Sequence, residues 1–509
     1  MKLCVHVMAA CLLLGMPPLA RVDGEAASDG KIDNSEDLDG DAGRVLSVAR
    51  SATPFVSIIP VTDGNPDTDS NGYAGSNINS VAYAQDNLIT VGNQQFIAYY
   101  RRHAADANHD RNNTVLIARR NIDASEWEVF PTTFSAGNID DGHYIVSMGI
   151  DGAGVLHMAW GMHNHRLRYA RSVTSVLGHA PIEMTANLGP AGMTGAETQV
   201  TYPHFLSLPN GDLLFLFRAG GSGNGNWFLN RYSKSAGEWT PVHTWSGGGR
   251  KPLFRGTGAR PDNCFYPDRF TMDSNGVLHM SGVFRASHRS FQTNHRYVYL
   301  RSADEGATWQ RTDGSPIDLP LVIDATFLDS GESHVAEIVK DIPQNHSLVN
   351  QAGLTTDSAG RPIIATWYAP DGAGVDVRNY FIFFHDGEGW HRRQVSDRSA
   401  VGGWLRRPIV MTDADDRILM IYYDGRSPGI QVVFSQPLAL DPERLHWKRM
   451  HLTNEDLGGW EPTYDEQRWR RDGVLQMLYQ KSGAGNPNRS SPVSVITWDA
   501  RAYFQSFNN

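Results

Sequence analysis

Cysteine is nearly absent from this chain, with three in 509 residues, so no disulfide framework can carry the fold. Beyond the first twenty or so positions there is no uninterrupted apolar run of the length a bilayer-spanning helix needs, which removes a helical membrane partner. Basic charge is also short: 45 Lys and Arg stand against 55 Asp and Glu, a formal net charge of −10. That balance argues against a nucleic-acid partner, although a local basic cleft could still focus an anionic ligand. What is present is an ordinary globular composition, 40% hydrophobic and 20% charged, which excludes disordered and collagenous chains. Fifty glycines, 13 tryptophans and 18 tyrosines favour many short strands joined by tight turns, because glycine supplies positive φ and aromatic side chains suit pleated surfaces.

Lys2 precedes an apolar run from Leu3 to Met16, and Pro17, Pro18 and Ala20 follow it, the layout of a secretory signal. Residues 1–22 are therefore expected to be a signal peptide and the protein to be secreted, extracellular or periplasmic. A lipid anchor at Cys11 is disfavoured because the apolar run continues through Leu12, Leu13 and Leu14. Cleavage would leave Cys264 as the single thiol. Residues 23–50, rich in Asp, Glu, Gly, Ser and Ala, read as an acidic disordered linker, and residues 51–509 as the folded catalytic domain.

That domain repeats itself. A strand, an Asp/Asn/Gly turn, a strongly apolar second strand, a polar loop and a third strand recur from Asn79, Tyr144, Tyr202, Tyr266, Gln351, Arg407 and Glu461. A period of roughly 45–60 residues with several strands per unit is what radial blades of four strands require. The expected fold is all-β, a seven-bladed β-propeller. Ser302, Asp304, Gly306, Thr308 and Trp309 match the S-x-D-x-G-x-T-W Asp-box, a turn motif expected to be structural.

In an antiparallel blade the start of the first strand and the loop after the second lie at one end. Reading that end from each unit collects His143, His163 and His165, Tyr202 and Arg218, Tyr266 with Arg285 and His288, and Tyr99, Tyr100 and Arg101 from the first unit. The set is His, Tyr and Arg with almost no carboxylates. A glycosidase needs two carboxyl groups flanking the scissile bond, and a sialidase-like hydrolase needs an acidic or Tyr/Glu nucleophile in the right blade. The set suits β-elimination from a uronate instead: a cation neutralises the substrate carboxylate, a base takes the C5 proton and an acid protonates the departing oxygen. Arginine fits the first role through its planar fork.

The segments "DGHYIVSMGID", "AWGMHNH", "TYPHF" and "FRAGGSGNG" together resemble the secreted bacterial ulvan lyases of polysaccharide lyase family 25 and its relative family 24. The resemblance runs from about Asn77 to Trp498. It implies a substrate, ulvan, in which sulfated rhamnose alternates with glucuronate or iduronate, cut between rhamnose-3-sulfate and the uronate to leave unsaturated uronyl ends. By that resemblance His143 and Tyr202 are the acid/base pair, Arg218 the carboxylate neutraliser, His163 a second essential histidine and Tyr266 a substrate-contacting tyrosine. Which of His143 and Tyr202 takes the proton stays open.

Further expectations concern the surroundings. Arg250, Lys251, Arg255, Arg260 and Arg269 form a local excess of positive charge that could serve as a rail for sulfates and carboxylates, with Arg260, Arg269 and His165 expected to touch substrate. His157 and His279, equivalent in two "VLHM" strands, read as structural. Cys264 reads as a buried free thiol. No cofactor is implied for the chemistry, a structural zinc or calcium ion is possible, and a monomer is expected. Two other classes remain, a non-catalytic propeller lectin for sulfated glycans and a sialidase-like glycoside hydrolase.

Overall fold

A computed structural model describes residues 45–48, 51–62, 71–103, 112–186, 193–256, 263–323, 332–396, 405–423, 429–437, 445–455, 461–483 and 489–507. The signal-peptide expectation, Arg260 and most of the linker lie outside the described residues. The linker expectation over 23–50 is too long at its C-terminal end: Val45–Val48 forms a strand, paired in parallel with Trp447–Thr453.

Among the described residues the chain forms seven sheets of four or more strands, in sequence order, with one further two-stranded pair. The first runs Leu88–Val91, Gln94–Arg102, Asn113–Asn121, Glu128–Pro131, and the second Val146–Ile150, Leu156–Trp160, Tyr169–Ser172, Met184–Ala186. The third comprises Val200–Ser207, Leu213–Ala219, Asn226–Ser233 and Glu238–Pro241. Cys264–Pro267, Leu278–Arg285 and Asn294–Ser302 build the body of the fourth, and Gly353–Thr356 opens the fifth. Ile409–Thr412 opens the sixth, and Thr463–Tyr464 with Val474–Gln480 and Val493–Asp499 the seventh. The outer edge of the seventh is supplied from the other end of the chain by Val56–Pro60, antiparallel to Val493–Asp499.

The sheets carry apolar side chains on both faces because both faces are covered. Second strands such as Pro362–Tyr368 are buried throughout, the pattern of a strand packed on two sides rather than one. One cluster joins the first and second sheets through Phe96, Ala98, Met148 and Met158, and another the second and third through Tyr169, Phe205 and Phe215. The series continues to Leu478 and Val495 of the seventh, which meet Ile97 and Tyr99 of the first.

Turn chemistry holds individual hairpins. At Ser302–Trp309 the Asp304 carboxylate accepts from the Thr308 backbone N–H at 2.8 Å and the Thr308 hydroxyl at 2.6 Å. Gly306 takes φ 91°, which a side chain would oppose. The Trp309 indole is buried and donates to the Gly306 carbonyl at 3.1 Å. His157 and His279 are fully buried, and each bonds a tyrosine hydroxyl at 2.6 Å, Tyr169 and Tyr299, while facing Asp151 and Asp273. Cys264 is buried and free.

Candidate active site

Every sheet begins its first strand at the same end, and the residues at or just before those starts meet there. Tyr83, His143, Tyr202, Tyr266, Asn350, Arg407 and Glu461 come from the first to the seventh sheet in turn. Tyr83 stacks on His143 with ring centres 5.7 Å apart, His143 lies 5.7 Å from Tyr202, and Tyr202 lies 6.2 Å from Tyr266. Arg407 Nε donates to the Asn350 carbonyl at 2.6 Å, and its Nη1 pairs with both Glu461 oxygens at 3.1 and 3.0 Å. Glu461 in turn accepts from the Ala82 backbone N–H at 3.2 Å, beside Tyr83, over whose ring Arg407 sits at 5.4 Å.

His163 arrives from the loop after the second strand of its sheet. The short strand His163–His165 pairs antiparallel with Val200–Ser207, His163 opposite Thr201, which sets it beside the start of the next sheet. Asp141 ties the two histidines together: Oδ1 lies 2.6 Å from His143 Nδ1, and Oδ2 lies 2.7 Å from His163 Nδ1. The two imidazoles stack at 4.2 Å with their planes 19° apart. Burial would raise the Asp141 pKa, but the bonds from both histidines outweigh it and hold the carboxyl well below its ordinary range. An ionised Asp141 accepts a proton donor at Nδ1 of each ring, so Nε2 is the lone-pair nitrogen in each neutral imidazole. Burial pulls the His143 pKa below 6.5, against the opposing pull of Asp141. The side chains are 36% exposed at His143, 35% at His163 and 26% at Asp141, so the cluster opens to the mouth. Their ligand atoms lie within 4.8 Å of one another, close enough to hold a metal ion.

Tyr202 has φ 56° at a break in the register between Thr201 and His204. A left-handed tyrosine costs about 1–3 kcal/mol and is retained where the surroundings fix it. Those surroundings are Trp227, stacked at 6.2 Å and 7°, Tyr83 edge-on at 5.3 Å, and the Arg218 guanidinium 4.9 Å from its ring centre. Its hydroxyl makes no hydrogen bond among the described residues. Burial, followed by neighbouring Tyr266, raises its pKa despite Arg218, Arg285 and Arg407, so the phenol is protonated at neutral pH.

Arg218 faces Thr201 across the third sheet and is 1% exposed. It donates to the Gly220 carbonyl at 3.1 Å and the Tyr266 hydroxyl at 3.2 Å, and no carboxylate pairs with it among the described residues. The glycine-rich loop after it has a steric reason: a Cβ on Gly225 would stand 2.8 Å from the Arg218 side chain. Tyr266 donates to Ser222 Oγ at 2.7 Å.

The structure thus brings His143, His163, Tyr202, Arg218 and Tyr266 together. His165 is exposed near them, 5.5 Å from the Tyr144 ring. Arg269 is not beside them: it is buried, its Nε on Glu466 at 2.7 Å and its Nη2 toward Asp86 at 3.5 Å, so its fork is committed within the protein. Arg250 is likewise paired with Glu197 at 3.1 Å. From the first unit the site receives Tyr83, whereas Tyr99 and Tyr100 are buried. Sequence reasoning missed Asp141, Tyr83, Arg407 and Glu461, and its picture of a mouth almost without carboxylates is corrected by Asp141 and Glu461. Asp141 stands two residues before His143, a spacing that could have flagged it. A cavity of about 1040 Å³ opens at the other end of the sheets, among Met272, Thr356, Trp469 and Phe504; its arginines Arg417, Arg470 and Arg471 are paired with Asp413, Glu466 and Asp472, while Arg501 is exposed and donates to the Arg471 carbonyl at 3.3 Å.

The model of BNR repeat-containing family members matches residues 94–398. A long isoform of ulvan lyase from Alteromonas sp. is 27% identical over 146 residues, 28% of this chain and 14% of that protein. The match therefore spans about a seventh of the curated relative's length. Among solved structures, polysaccharide lyase Uly1 aligns over 89% of this chain and 99% of its own with TM-score 0.62 and 14% identity. A PL25 ulvan lyase aligns over 85% and 95% with TM-score 0.54 and 14% identity, also when bound to -[GlcA(1-4)Rha3S]-. At that identity the likeness shows a shared fold.

Proposed function

The chain belongs to the BNR repeat-containing family, and from that premise and the site geometry we propose that it is a secreted polysaccharide lyase, a seven-bladed propeller that cleaves ulvan by β-elimination. The observation that carries the chemistry is the pair of histidines sharing Asp141 beside an unbonded tyrosine hydroxyl and a buried arginine without a carboxylate. Seven sheets joined by apolar clusters that return to the first support the propeller, and the fold shared with two ulvan-lyase-like structures supports the class.

In this reading the Arg218 fork pairs with the uronate carboxylate and stabilises the charge that builds on it as C5 loses its proton. His143 Nε2 takes the C5 proton. The electron pair left at C5 forms the C4–C5 double bond, the bond from C4 to the glycosidic oxygen breaks, and the Tyr202 hydroxyl protonates the departing rhamnosyl oxygen. A raised phenol pKa suits Tyr202 to the acid role, and a depressed imidazole pKa suits His143 to the base role. Water then takes the proton from His143 and returns one to Tyr202. His163 holds Asp141 from the other side, and Tyr266 presents Arg218 to the mouth.

The test is to incubate the protein with ulvan and follow the near-ultraviolet absorbance of the unsaturated uronyl end. Wild type should give a rise that His143→Ala, Tyr202→Phe and Arg218→Ala each lower by roughly 10³-fold or more. No rise with wild type, with saturated reducing ends or binding alone, would leave the hydrolase or the lectin.

A further inference from the structure

A second layer of charged side chains lies behind the mouth. Asp86, His204, Arg269 and Glu466 stand two to five residues past Tyr83, Tyr202, Tyr266 and Glu461, so the first, third, fourth and seventh sheets each send one residue to the mouth and one to the layer behind it. Asp86, His204 and Arg269 are buried. Arg269 pairs with Glu466 at 2.7 Å and reaches Asp86 Oδ1 at 3.5 Å. The other Asp86 oxygen, Oδ2, lies 2.8 Å from His204 Nδ1, and His204 Nε2 donates to the Phe270 carbonyl at 3.2 Å. Neither Asp86 Oδ2 nor His204 Nδ1 has another polar partner among the described residues. The reaction proposed above uses none of these groups.

The Asp86–His204 contact joins two strained places. Tyr202 has φ 56° and Asp86 has φ 66°, and left-handed backbone at such residues persists where the surroundings over-determine it. The ladder between the first two strands of the third sheet breaks after Thr201 and resumes at His204, opposite Leu216. His204 is therefore the inner anchor of the bulge that carries Tyr202. Asp86 anchors the facing side: its carbonyl accepts from the Met148 backbone N–H of the second sheet at 3.0 Å, and it follows Tyr83 by three residues. Tyr83 packs edge-on against Tyr202 at 5.3 Å and stacks on His143 at 5.7 Å. One contact behind the mouth thus ties together the two backbones from which Tyr83 and Tyr202 project.

We propose that Asp86 and His204 are a positioning pair that aims the Tyr202 hydroxyl. The inference rests on the reading of Tyr202 as the proton donor and adds to it the residues that hold the donor in place. Both act through the backbone and through Tyr83, without touching substrate. A displacement of about 1 Å at a reacting group can cost roughly 10²-fold in rate. Arg218, held by the Gly220 carbonyl and the Tyr266 hydroxyl, stays in place, so the loss falls on kcat rather than KM.

The two nitrogens of His204 can be replaced one at a time. His204→Asn sets an amide N–H near the place of Nδ1 and gives up the Phe270 bond, whereas His204→Gln sets one near the place of Nε2 and gives up Asp86. Asp86→Gly removes the same contact from the other side, with a residue that accepts a positive φ. The experiment measures kcat and KM on ulvan and a melting curve for wild type and each variant, and records the fluorine NMR resonance of 3-fluorotyrosine placed at Tyr202. His204→Gln and Asp86→Gly should each lower kcat by ~10-fold or more with KM within ~2-fold, and His204→Asn should keep kcat within ~3-fold of wild type. The fluorine resonance should move in the first two and hold in the third, although each His204 variant gives up one buried bond and melts lower. Equal kcat losses in the Asn and Gln variants, an unmoved resonance in the Gln and Gly variants, or failure of both of those to fold makes the pair a brace between sheets and overturns the proposal. If wild type releases no unsaturated ends, the lyase reading fails while the fluorine resonance still judges the pair.

Discussion

At the scale of single residues the account turns on Asp141. Its two oxygens fix the tautomers of His143 and His163, and Asn in its place can satisfy only one ring as an acceptor. Asp141→Asn should therefore lower kcat by roughly 10²-fold or more, by analogy with other base-orienting carboxylates, while the protein stays folded. The acid limb of the rate profile carries the second readout. His143 must be unprotonated to take a proton, so activity rises with pH through its pKa, which burial sets below 6.5. Removing Asp141, which pulls that pKa upward, shifts the limb further toward acid in the surviving activity. Because the same three side chains can gather around an ion, Zn²⁺ should inhibit and a chelator should reverse it: a metal on Nδ1 leaves the ring proton on Nε2, the atom needed as base. That His143, Tyr202 and Arg218 meet at one end of the sheets was legible from their place in the repeat. Glu461 was not, since a carboxylate beside a strand start looks like any other until its partners are known, and Asp141 offered only its spacing of two residues from His143. The Arg269 expectation failed for a related reason: counting charges along the chain cannot see Glu466, which folds back from the seventh sheet to neutralise it.

At the scale of elements, the Asp–His–Tyr braces in the second and fourth sheets are buried within their hairpins and lie outside the proposed reaction. His157→Ala or His279→Ala removes a hydrogen bond from a buried tyrosine hydroxyl and the ring facing one oxygen of a buried carboxylate. The Tyr169 hydroxyl keeps the Trp239 indole donor, and Asp151 and Asp273 keep two backbone N–H donors each. Each substitution should cost about 1–3 kcal/mol, read as a lower urea midpoint at unchanged slope, with kcat of the folded protein preserved. The glycine-rich loop after Arg218 makes the opposite case. Gly225→Ala brings a Cβ against Arg218 and should lower kcat/KM by roughly 10-fold or more through misplacement of the fork, with a smaller effect on melting than either histidine change. The turn residues and the apolar second strands announced these elements in the sequence, because period and turn chemistry are local. The short strand His163–His165 was unreadable: its pairing depends on Thr201, in the next sheet.

At the scale of the whole molecule, Val56–Pro60 gives the seventh sheet its outer strand from the far end of the chain. A chain begun at Ser51 keeps that strand, and one begun at Val61 loses it. The shorter chain should lose several degrees of melting temperature or more through the exposed edge and the lost ladder, and calorimetry of the two measures it. The repeat made the sheet order readable, while the partner of the last sheet lay nearly the whole chain away. The chain's net charge of −10 repels an anionic polymer at long range, so it is the short-range attraction of Arg218 and Arg285 beside Tyr266 that predicts a KM rising with salt as it is screened.

The claim that matters most is elimination rather than hydrolysis, and it is tested most directly by the mass of the products formed from a defined ulvan oligosaccharide in heavy-oxygen water. The account predicts two fragments whose masses sum to that of the substrate, one carrying an unsaturated uronate, with no heavy oxygen taken up at the cut bond. Fragments that together exceed the substrate by one water, with heavy oxygen at the new reducing end, would contradict it.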